Sequence, residues 1–289
     1  MRRAVPALLA LGLAACVPGA PPSPHYVLGQ PYQAGGVWWY PRAALRVDET
    51  GLATVADDDH QALTANGEAF DQTAMAAANQ TLPLPCIARV TNLETGRQVL
   101  VRINDRGPPT PLRLLAVTRR VATLLGFPSG GVARIRLEVL ERESQEAEAA
   151  LPGGPTLAIA AAPRGAVAAT SLPPPPGARG TTGVVAPTVT LAAAPAERQV
   201  PLRLPETATQ VRPDPGTLWI DLGSFPAYDY ANIQRAAVAQ LGAQVVSVVD
   251  GRTESFQVRI GPIPDIAQAD RLLDETLALG VPDGRIVVR

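Results

Sequence analysis

Two carboxylates lie in motifs that could support proton transfer. Glu68 is part of T-A-N-G-E and Asp105 is part of I-N-D-R-G-P. Carboxyl groups act as general acids and bases when their surroundings tune their pKa. Each residue also has a simpler interpretation. Glu68 suits a solvated position at the start of a helix, where the helix dipole favours negative charge, and Asp105 suits a turn that it caps locally. Taken alone, the two residues favour these simpler interpretations.

The residues around Asp105 predict short strands joined by turns. Residues 87–105 alternate apolar and polar side chains on both sides of a Thr-Gly turn, which predicts a β-hairpin. A strand at L-R-L-L-A-V follows, then a short helix with Thr118 as its N-cap and Gly126 as its end, then a last strand at V-A-R-I-R-L-E-V-L. We therefore expect a mainly β domain over residues 26–140.

The N-terminus predicts export and lipid attachment. Two arginines precede an apolar run that is too short to span a bilayer as a mature helix. The run ends in L-A-A-C, which resembles the bacterial lipobox, so residues 1–16 are predicted to be a lipoprotein signal with lipid on Cys16. Val17 in place of an aspartate resembles proteins sorted to the outer membrane. We expect a lipid-anchored protein of the cell envelope, on the periplasmic face of the outer membrane.

The second cysteine, Cys86, then has no intramolecular disulfide partner. Free cysteines are commonly buried, so we expect Cys86 to be a small buried hydrophobe in preference to a reactive thiol.

Residues 141–213 differ in composition from the rest of the chain. They contain no Phe, Trp or Tyr, and Ala, Pro, Gly and Thr dominate, with four consecutive prolines at 173–176. Such a segment cannot bury enough apolar area to offset its chain entropy. It is predicted to be a disordered linker between two folded domains.

The C-terminal residues 216–289 predict a second domain with the order βαββαβ. This order indicates a split βαβ sandwich with both helices on one face of the sheet and the other face open. Side chains alternate between the two faces of a strand. The open face is therefore predicted to carry Trp219, Asp221, Gln257 and Arg259. A flat aromatic ring beside polar groups suits stacking on a sugar or base; the alternative is a Trp covered by a loop.

Charge argues against nucleic acid as the ligand. Residues 216–289 contain nine acidic residues and six arginines, and the whole chain has 25 basic and 26 acidic residues. Nucleic-acid binding requires the opposite sign, because phosphates must be neutralised. The D-D-D-H run at 57–60 lacks a cation-binding pattern and is interpreted as a solvated loop. We expect no metal and no cofactor.

The motifs together resemble the rare lipoprotein A family. The lipobox, T-A-N-G-E, T-L-P-L-P, R-V-T-N-L-E-T-G-R, I-N-D-R-G-P and a C-terminal module with G-S-F and V-R-I-G-P occur in the family's order. The resemblance implies a six-stranded double-psi β-barrel followed by a SPOR domain. It also implies a lytic transglycosylase that cleaves peptide-stripped glycan strands at the division septum, with cell-division proteins as candidate partners.

The resemblance also assigns roles to residues. A lytic transglycosylase breaks the bond between N-acetylmuramic acid and N-acetylglucosamine without water, and one carboxyl group can serve as acid and then base. By motif, Asp105 is the expected acid/base and Glu68 the second acidic position. Asn66, Asn79 and Arg106 are expected to support them. Trp219, Asp221, Gln257 and Arg259 are expected to bind glycan.

Several features depart from the family pattern. The aromatic pair of S-W-Y-G ahead of T-A-N-G-E is absent, Asn79 replaces a histidine, Ala116 replaces an aspartate, and Asp221 replaces a glutamine. Because asparagine cannot titrate, any proton transfer by that histidine is lost. Two hypotheses follow: an active lytic transglycosylase, or a catalytically inactive, lipid-anchored protein that binds peptidoglycan.

Overall fold

The computed structural model describes residues 21–57, 62–155, 203–251 and 253–289. The predicted signal with Cys16, the acidic run from residue 58 onward with His60, and the central part of the predicted linker lie outside these ranges. Among the described helices, none has the length and apolar character needed to cross a membrane.

The N-terminal domain begins with a small hairpin and continues into a barrel. Its elements are β1 (Tyr32–Ala34), β2 (Val37–Trp39), β3 (Asp48–Val55), β4 (Ala76–Ala78), β5 (Cys86–Asn92), β6 (Arg97–Asp105), β7 (Leu115–Val117), α1 (Arg119–Leu125), β8 (Val132–Val139) and α2 (Glu141–Ala149).

Six of these strands close into a barrel. Their order is β4-β7-β3-β8-β5-β6, and a parallel pairing between β4 and β6 joins the two ends. The inward-facing side chains are aliphatic, with Val90, Val101, Ile103, Ile135 and Leu137 fully buried. The closed six-stranded double-psi barrel that the family resemblance implied is confirmed.

Local signals explain the elements that were predicted correctly. The β5–β6 hairpin turns at Gly96, whose φ of 72° suits glycine, and Asn92 Oδ1 accepts the backbone N–H of Glu94 at 2.9 Å. Helix α1 starts at Thr118, whose side chain accepts from the Val121 N–H, and ends at Gly126 in the left-handed conformation.

Helix α2 corrects the predicted start of the linker. It covers Glu141–Ala149, within the segment that its lack of Phe, Trp and Tyr predicts to be disordered. The helix docks through small residues instead: Ser144 and Ala147 are buried. The Ser144 hydroxyl accepts the Ile87 N–H at 2.9 Å and donates to the Ile87 carbonyl at 3.1 Å. A helix that docks in this way needs no aromatic side chain.

The residues just before the second domain also differ from the predicted disordered linker, because they pack against the barrel. Leu204 packs against the barrel core, and β9 (Thr209–Gln210) pairs antiparallel with β6. The Asp214 N–H donates to the Leu93 carbonyl at 2.8 Å. The chain therefore runs along the barrel for about ten residues before the second domain begins.

The C-terminal domain has the predicted βαββαβ order. Its elements are β10 (Leu218–Phe225), α3 (Tyr228–Ala237), a 3-10 turn (Ala239–Leu241), β11 (Gln244–Asp250), β12 (Thr253–Ile263), α4 (Ile266–Ala278) and β13 (Arg285–Val288). The antiparallel sheet has the order β11-β12-β10-β13. Leu218, Ile220, Leu222, Val258 and Ile260 are buried in its core.

The two domains pack against each other along strand β13. The Thr50 hydroxyl of β3 donates to the Val288 carbonyl at 2.7 Å and accepts the Val288 N–H at 3.0 Å. Arg113 makes a two-point contact with Asp270 of α4 at 2.7 and 2.9 Å. Leu52 of the barrel is only 1% exposed because it packs in the core of the second domain.

Candidate functional site

The two predicted carboxylates line one groove on the barrel. This carboxylate groove has a volume of about 270 Å³ and lies beside strand β4 and the end of β6. Its polar wall consists of Glu68, Arg102, Asn104 and Asp105, and its apolar wall is largely alanine. The structure therefore brings the T-A-N-G-E and I-N-D-R-G-P motifs to one place, although 37 positions separate the two carboxylates in sequence.

Glu68 is a buried, fully hydrogen-bonded carboxylate. Its Oε1 accepts from Arg102 Nη2 at 2.7 Å and from Asn66 Nδ2 at 2.8 Å, and its Oε2 accepts from Asn104 Nδ2 at 2.8 Å. Burial acts to raise the pKa of Glu68, but the Arg102 guanidinium and the two amides outweigh it and keep the pKa below its usual range. Glu68 is therefore a fixed negative charge at neutral pH.

This environment contradicts the simpler interpretation of Glu68. The side chain is not solvated, and the alanine-rich segment after it forms strand β4 and not a helix. Gly67, directly before Glu68, has a φ of 79°, a left-handed conformation that glycine adopts readily and that this turn requires. A turn closed by the Thr64 hydroxyl, which accepts the Glu68 N–H at 3.1 Å, directs the carboxylate towards Arg102 and Asn104 of β6.

Asp105 stands where β6 ends and the I-N-D-R-G-P loop begins. Its Oδ1 accepts the Arg106 N–H at 2.7 Å, a local turn bond of the kind that the simpler interpretation expected. The same oxygen accepts the Ala65 N–H at 2.8 Å. Ala65 belongs to the turn that carries Glu68, so this bond joins the two motifs, together with the Asn104–Glu68 bond, and fixes their relative position.

Of the predicted supporting residues, Asn66 lies beside Glu68. It is fully buried, and it accepts the Thr64 hydroxyl at 2.8 Å while it donates to Glu68. Arg106 points elsewhere: its guanidinium donates to the carbonyls of Leu28 and Leu82 and ties the N-terminal lead-in to the barrel. Burial lowers the pKa of Arg106. The structure therefore places Asn66 behind the groove as a hydrogen-bond partner of Glu68, and directs the Arg106 side chain away from both carboxylates.

Asn79 lies on the other side of the groove wall. Ala78 lines the groove, whereas Asn79 lines a separate cleft. The Asn79 amide donates to the Leu114 carbonyl at 3.0 Å and accepts the Leu82 N–H at 3.0 Å. Its polar atoms therefore stabilise the turn after β4. Ala116, where the family resemblance implies an aspartate, lines the groove with its methyl group.

Arg102 and Asn104 are site residues that the sequence reasoning missed. They lie two positions apart on β6, so both face the same way. Alternation with the inward-facing Val101 and Ile103 places both side chains on the other face of the strand, where polar residues are ordinary, so the pattern gave no specific signal for them. At the rim of the groove, Arg203 forms an ion pair with Asp71 at 3.0 Å. Arg203 belongs to the segment predicted to be a linker, so that segment reaches the groove.

The predicted residues of the C-terminal domain share one face of the sheet. Arg259 lies 4.5 Å above the ring centroid of Trp219, a cation–π distance. Gln257 Oε1 accepts from Arg289 at 2.9 Å, and Asp221 Oδ2 lies 3.6 Å from the same guanidinium. Trp219 is half-buried and Asp221 is buried, so the face is less open than its alternation alone suggested.

Two further predictions concern the Cys86 thiol and metal binding. Cys86 is fully buried, and burial raises the pKa of its thiol, as expected for a small hydrophobe. Within the described ranges, no three His, Cys, Asp or Glu side chains are grouped so that they could hold a metal ion.

Comparisons with known proteins match both domains. Residues 34–137 match the family model described as "Lytic transglycolase", and residues 214–285 match the SPOR domain. The endolytic peptidoglycan transglycosylase RlpA of Pseudomonas aeruginosa strain PAO1 is 33% identical over 270 residues, which cover 89% of this chain and 77% of that protein. The protein of the same name from Rickettsia bellii is 36% identical over 126 residues, 42% of this chain and 56% of that protein.

A solved structure is also similar to part of the chain. The crystal structure of the RlpA SPOR domain from Pseudomonas aeruginosa is 23% identical, covers 25% of this chain and 99% of that chain, and has a TM-score of 0.24.

Proposed function

This chain belongs to the rare lipoprotein A family, and from that premise we propose that it is an endolytic lytic transglycosylase of peptidoglycan. The observation that carries the proposal is the hydrogen bond from the Ala65 N–H to Asp105 Oδ1, which places two carboxylates in one groove. General acid–base cleavage of a glycosidic bond requires a positioned carboxyl group.

We assign the proton transfers to Asp105. The protonated carboxyl group donates to the glycosidic oxygen of the leaving N-acetylglucosamine as the bond to muramoyl C1 breaks. The resulting carboxylate then takes the proton of the muramoyl 6-hydroxyl as its oxygen bonds to C1 and closes the 1,6-anhydro ring. No water is consumed, and Asp105 ends in the protonation state in which it began.

Glu68 is assigned a different role because it is poorly suited to donate a proton. A carboxylate whose pKa is lowered by an arginine is ionised at neutral pH. Its negative charge lies in the same groove and can stabilise an oxocarbenium-like transition state. Glu68 also anchors the turn whose Ala65 N–H reaches Asp105.

The finer parts of the proposal concern substrate form and location. We propose that the substrate is glycan stripped of stem peptides, and that the sheet face with Trp219, Asp221, Gln257 and Arg259 binds such strands at the division septum. The stacked Trp219–Arg259 pair supports this, since it offers an aromatic surface with a polar rim. Lipid on Cys16 would hold the protein at the membrane, and cell-division proteins remain candidate partners.

The decisive experiment uses protein lacking residues 1–16 and peptide-stripped glycan strands. Mass spectrometry of the products should show 1,6-anhydromuramoyl ends at internal cleavage positions. Reducing muramoyl ends would instead indicate hydrolysis and would contradict the assignment of a lyase. Intact strands after prolonged incubation, with binding retained, would favour the second candidate below.

The second candidate is a catalytically inactive peptidoglycan-binding protein. Two observations favour it: Asn79 is committed to backbone hydrogen bonds, and the groove carries the Ala116 methyl group where the family resemblance implies a carboxylate. In that case the barrel would act as a scaffold, and the protein would bind glycan strands without cutting them.

A further inference from the structure

A second cavity, of about 320 Å³, opens between the barrel and the SPOR domain. We call it the interdomain cleft and define it by Trp38, Tyr40, Arg42 and Glu49 on the barrel side and by residues 282–286 on the SPOR side. Glu68 and Asp105 do not line it. The cleft is separated from the carboxylate groove by the backbone after β4, because Ala78 faces the groove and Asn79 faces the cleft.

The aromatic side chains of the cleft are unusually exposed. Trp38 is 56% exposed and Tyr40 is 64% exposed. Trp38 lies on β2 and Tyr40 directly follows the strand, and both side chains line the cleft. Large aromatic rings left in water are costly unless a partner covers them, and flat rings of this kind stack on the apolar faces of pyranose sugars.

The hairpin that carries these rings is held firmly by the barrel. The Tyr32 hydroxyl donates to the Gln80 carbonyl at 3.0 Å. Gly35 lies so close to the Pro109 carbonyl that a Cβ atom there would be 1.8 Å from the oxygen. Exposed rings on a fixed support are preorganised, which lowers the entropic cost of binding.

Polar groups from both domains line the cleft together with the rings. The Glu49 carboxylate lies between two guanidinium groups, 3.3 Å from Arg42 and 3.4 Å from Arg285. Both arginines are more than half exposed, at 58% and 54% of their side-chain surface, so N–H groups remain available to a ligand. Arg285 also lies 4.0 Å from Asp221, and Asp283 lines the cleft. Donors and acceptors of this kind orient hydroxyl and acetamido groups.

We propose that the interdomain cleft is an additional saccharide-binding site, built jointly by the barrel and the SPOR domain. Trp38 and Tyr40 take the apolar face of an N-acetylated pyranose, and Arg42, Glu49 and Arg285 bind its polar substituents. The identity of the sugar rests on the proposed function, because the glycan strand is the polymer that would reach both the groove and the cleft. Binding at the cleft does not depend on cleavage in the groove.

The test measures binding and not cleavage. Protein lacking residues 1–16 is titrated by calorimetry with chitotetraose and with peptide-free glycan strands. All variants are made in a Trp219→Ala background, so that the predicted open face of the SPOR sheet contributes less. Trp38→Ala with Tyr40→Ala should raise Kd at least about tenfold, the loss expected for stacking contacts. Tyr40→Ala alone, at a highly exposed position, should fold normally and raise Kd by a smaller factor.

Matched controls make the outcome specific. Tyr230→Ala removes an equally exposed aromatic ring on α3, which does not line the cleft, and should leave Kd unchanged. Arg285→Ala should weaken binding several-fold. Affinity within twofold of the parent for the double variant, or an equal loss for Tyr230→Ala, would overturn the proposal. A wild type that binds through the cleft but leaves strands uncut would refute the proposed function and leave this inference intact.

Discussion

Arg102 binds both carboxylate oxygens of Glu68, with Nη2 2.7 Å from Oε1 and Nε 2.9 Å from Oε1 and 3.2 Å from Oε2. Both side chains are nearly buried, at 5% and 11% exposure. A buried ion pair adds little net stability relative to an apolar pair, but removal of one partner leaves an uncompensated charge. The pair therefore explains both the ionised state of Glu68 and the sensitivity of the groove to substitution.

Substitution of Glu68 should destabilise the barrel as well as alter the site. Glu68→Ala leaves the Arg102 guanidinium buried without its partner, and we expect the free energy of unfolding to fall by about 3 to 5 kcal/mol. The double variant, Glu68→Ala with Arg102→Met, should lose clearly less free energy of unfolding, because no unpaired charge is left buried. Urea denaturation of the three proteins measures this. Equal losses for the single and double variants would show that the pair is not the cause.

Removal of the Asp105 carboxyl should abolish cleavage and preserve the fold. Asp105→Asn keeps an oxygen that can accept the Ala65 and Arg106 N–H groups, but its amide cannot donate and recover a proton in turn. The rate of 1,6-anhydro product formation should fall about 10² to 10⁴-fold. Asp48→Asn, an exposed ion-pair position on β3, is the matched control and should cleave normally. Full activity in Asp105→Asn would transfer the acid/base role to another group.

Glu148 on α2 should make stability depend on pH. Its side chain is buried, and burial raises its pKa to about 7. Between the unfolded value near 4.5 and about 7, the folded state keeps a proton that the unfolded state has lost, so stability falls as pH rises through this window. The loss is about 3 kcal/mol by pH 8. Outside this pH window, Glu148 does not change how stability depends on pH.

Thermal unfolding across pH 4 to 8 tests the Glu148 prediction. Glu148→Gln removes the ionisable group and should flatten the decline. Glu143→Gln, at an exposed position on the same helix, should leave the decline unchanged. If wild type and Glu148→Gln lose stability in parallel as pH rises, another residue is responsible.

Loss of the Arg113–Asp270 contact should loosen the packing of the two domains. Asp270→Ala leaves Arg113, only 13% exposed, without its two-point partner. We expect about 1 to 3 kcal/mol of lost stability and a larger radius of gyration in solution scattering. Asp274→Ala, on the same helix, serves as the control. A radius of gyration that stays at the wild-type value would show that the other interdomain contacts suffice.

The elements that the sequence predicted well are those with local signals. Helix α1 follows from Thr118 and Gly126, and the β5–β6 hairpin follows from strict alternation around a glycine turn. The C-terminal order also follows from alternation and helix periodicity. Helix α2 was not predicted, because the absence of Phe, Trp and Tyr gives no information about a helix that docks through small side chains. The helix-forming residues of E-R-E-S-Q-E-A-E-A, with an Arg142–Glu146 pair at helical spacing, were the available signal.

The candidate site was predictable only in part. The motifs pointed to Glu68 and Asp105, but their hydrogen-bonded link through Ala65 depends on how two distant turns meet. The partner of Glu68 could not be chosen from sequence, because Arg102 occupies a strand position like many others. Asn79 was expected to support the carboxylates, whereas pairing of β4 directs it away from them. Each of these relationships arises from long-range strand pairing.

The contact between Thr50 and Val288 bears on how such proteins exchange parts in evolution. Domains that are shuffled freely between genes have surfaces that are complete without a neighbour. Here a single hydroxyl satisfies both backbone groups of Val288, and Leu52 is shielded from water by the second domain. A chimera with an unrelated SPOR domain would expose Leu52 and lose both bonds. The barrel and its SPOR domain should therefore be inherited as a matched pair.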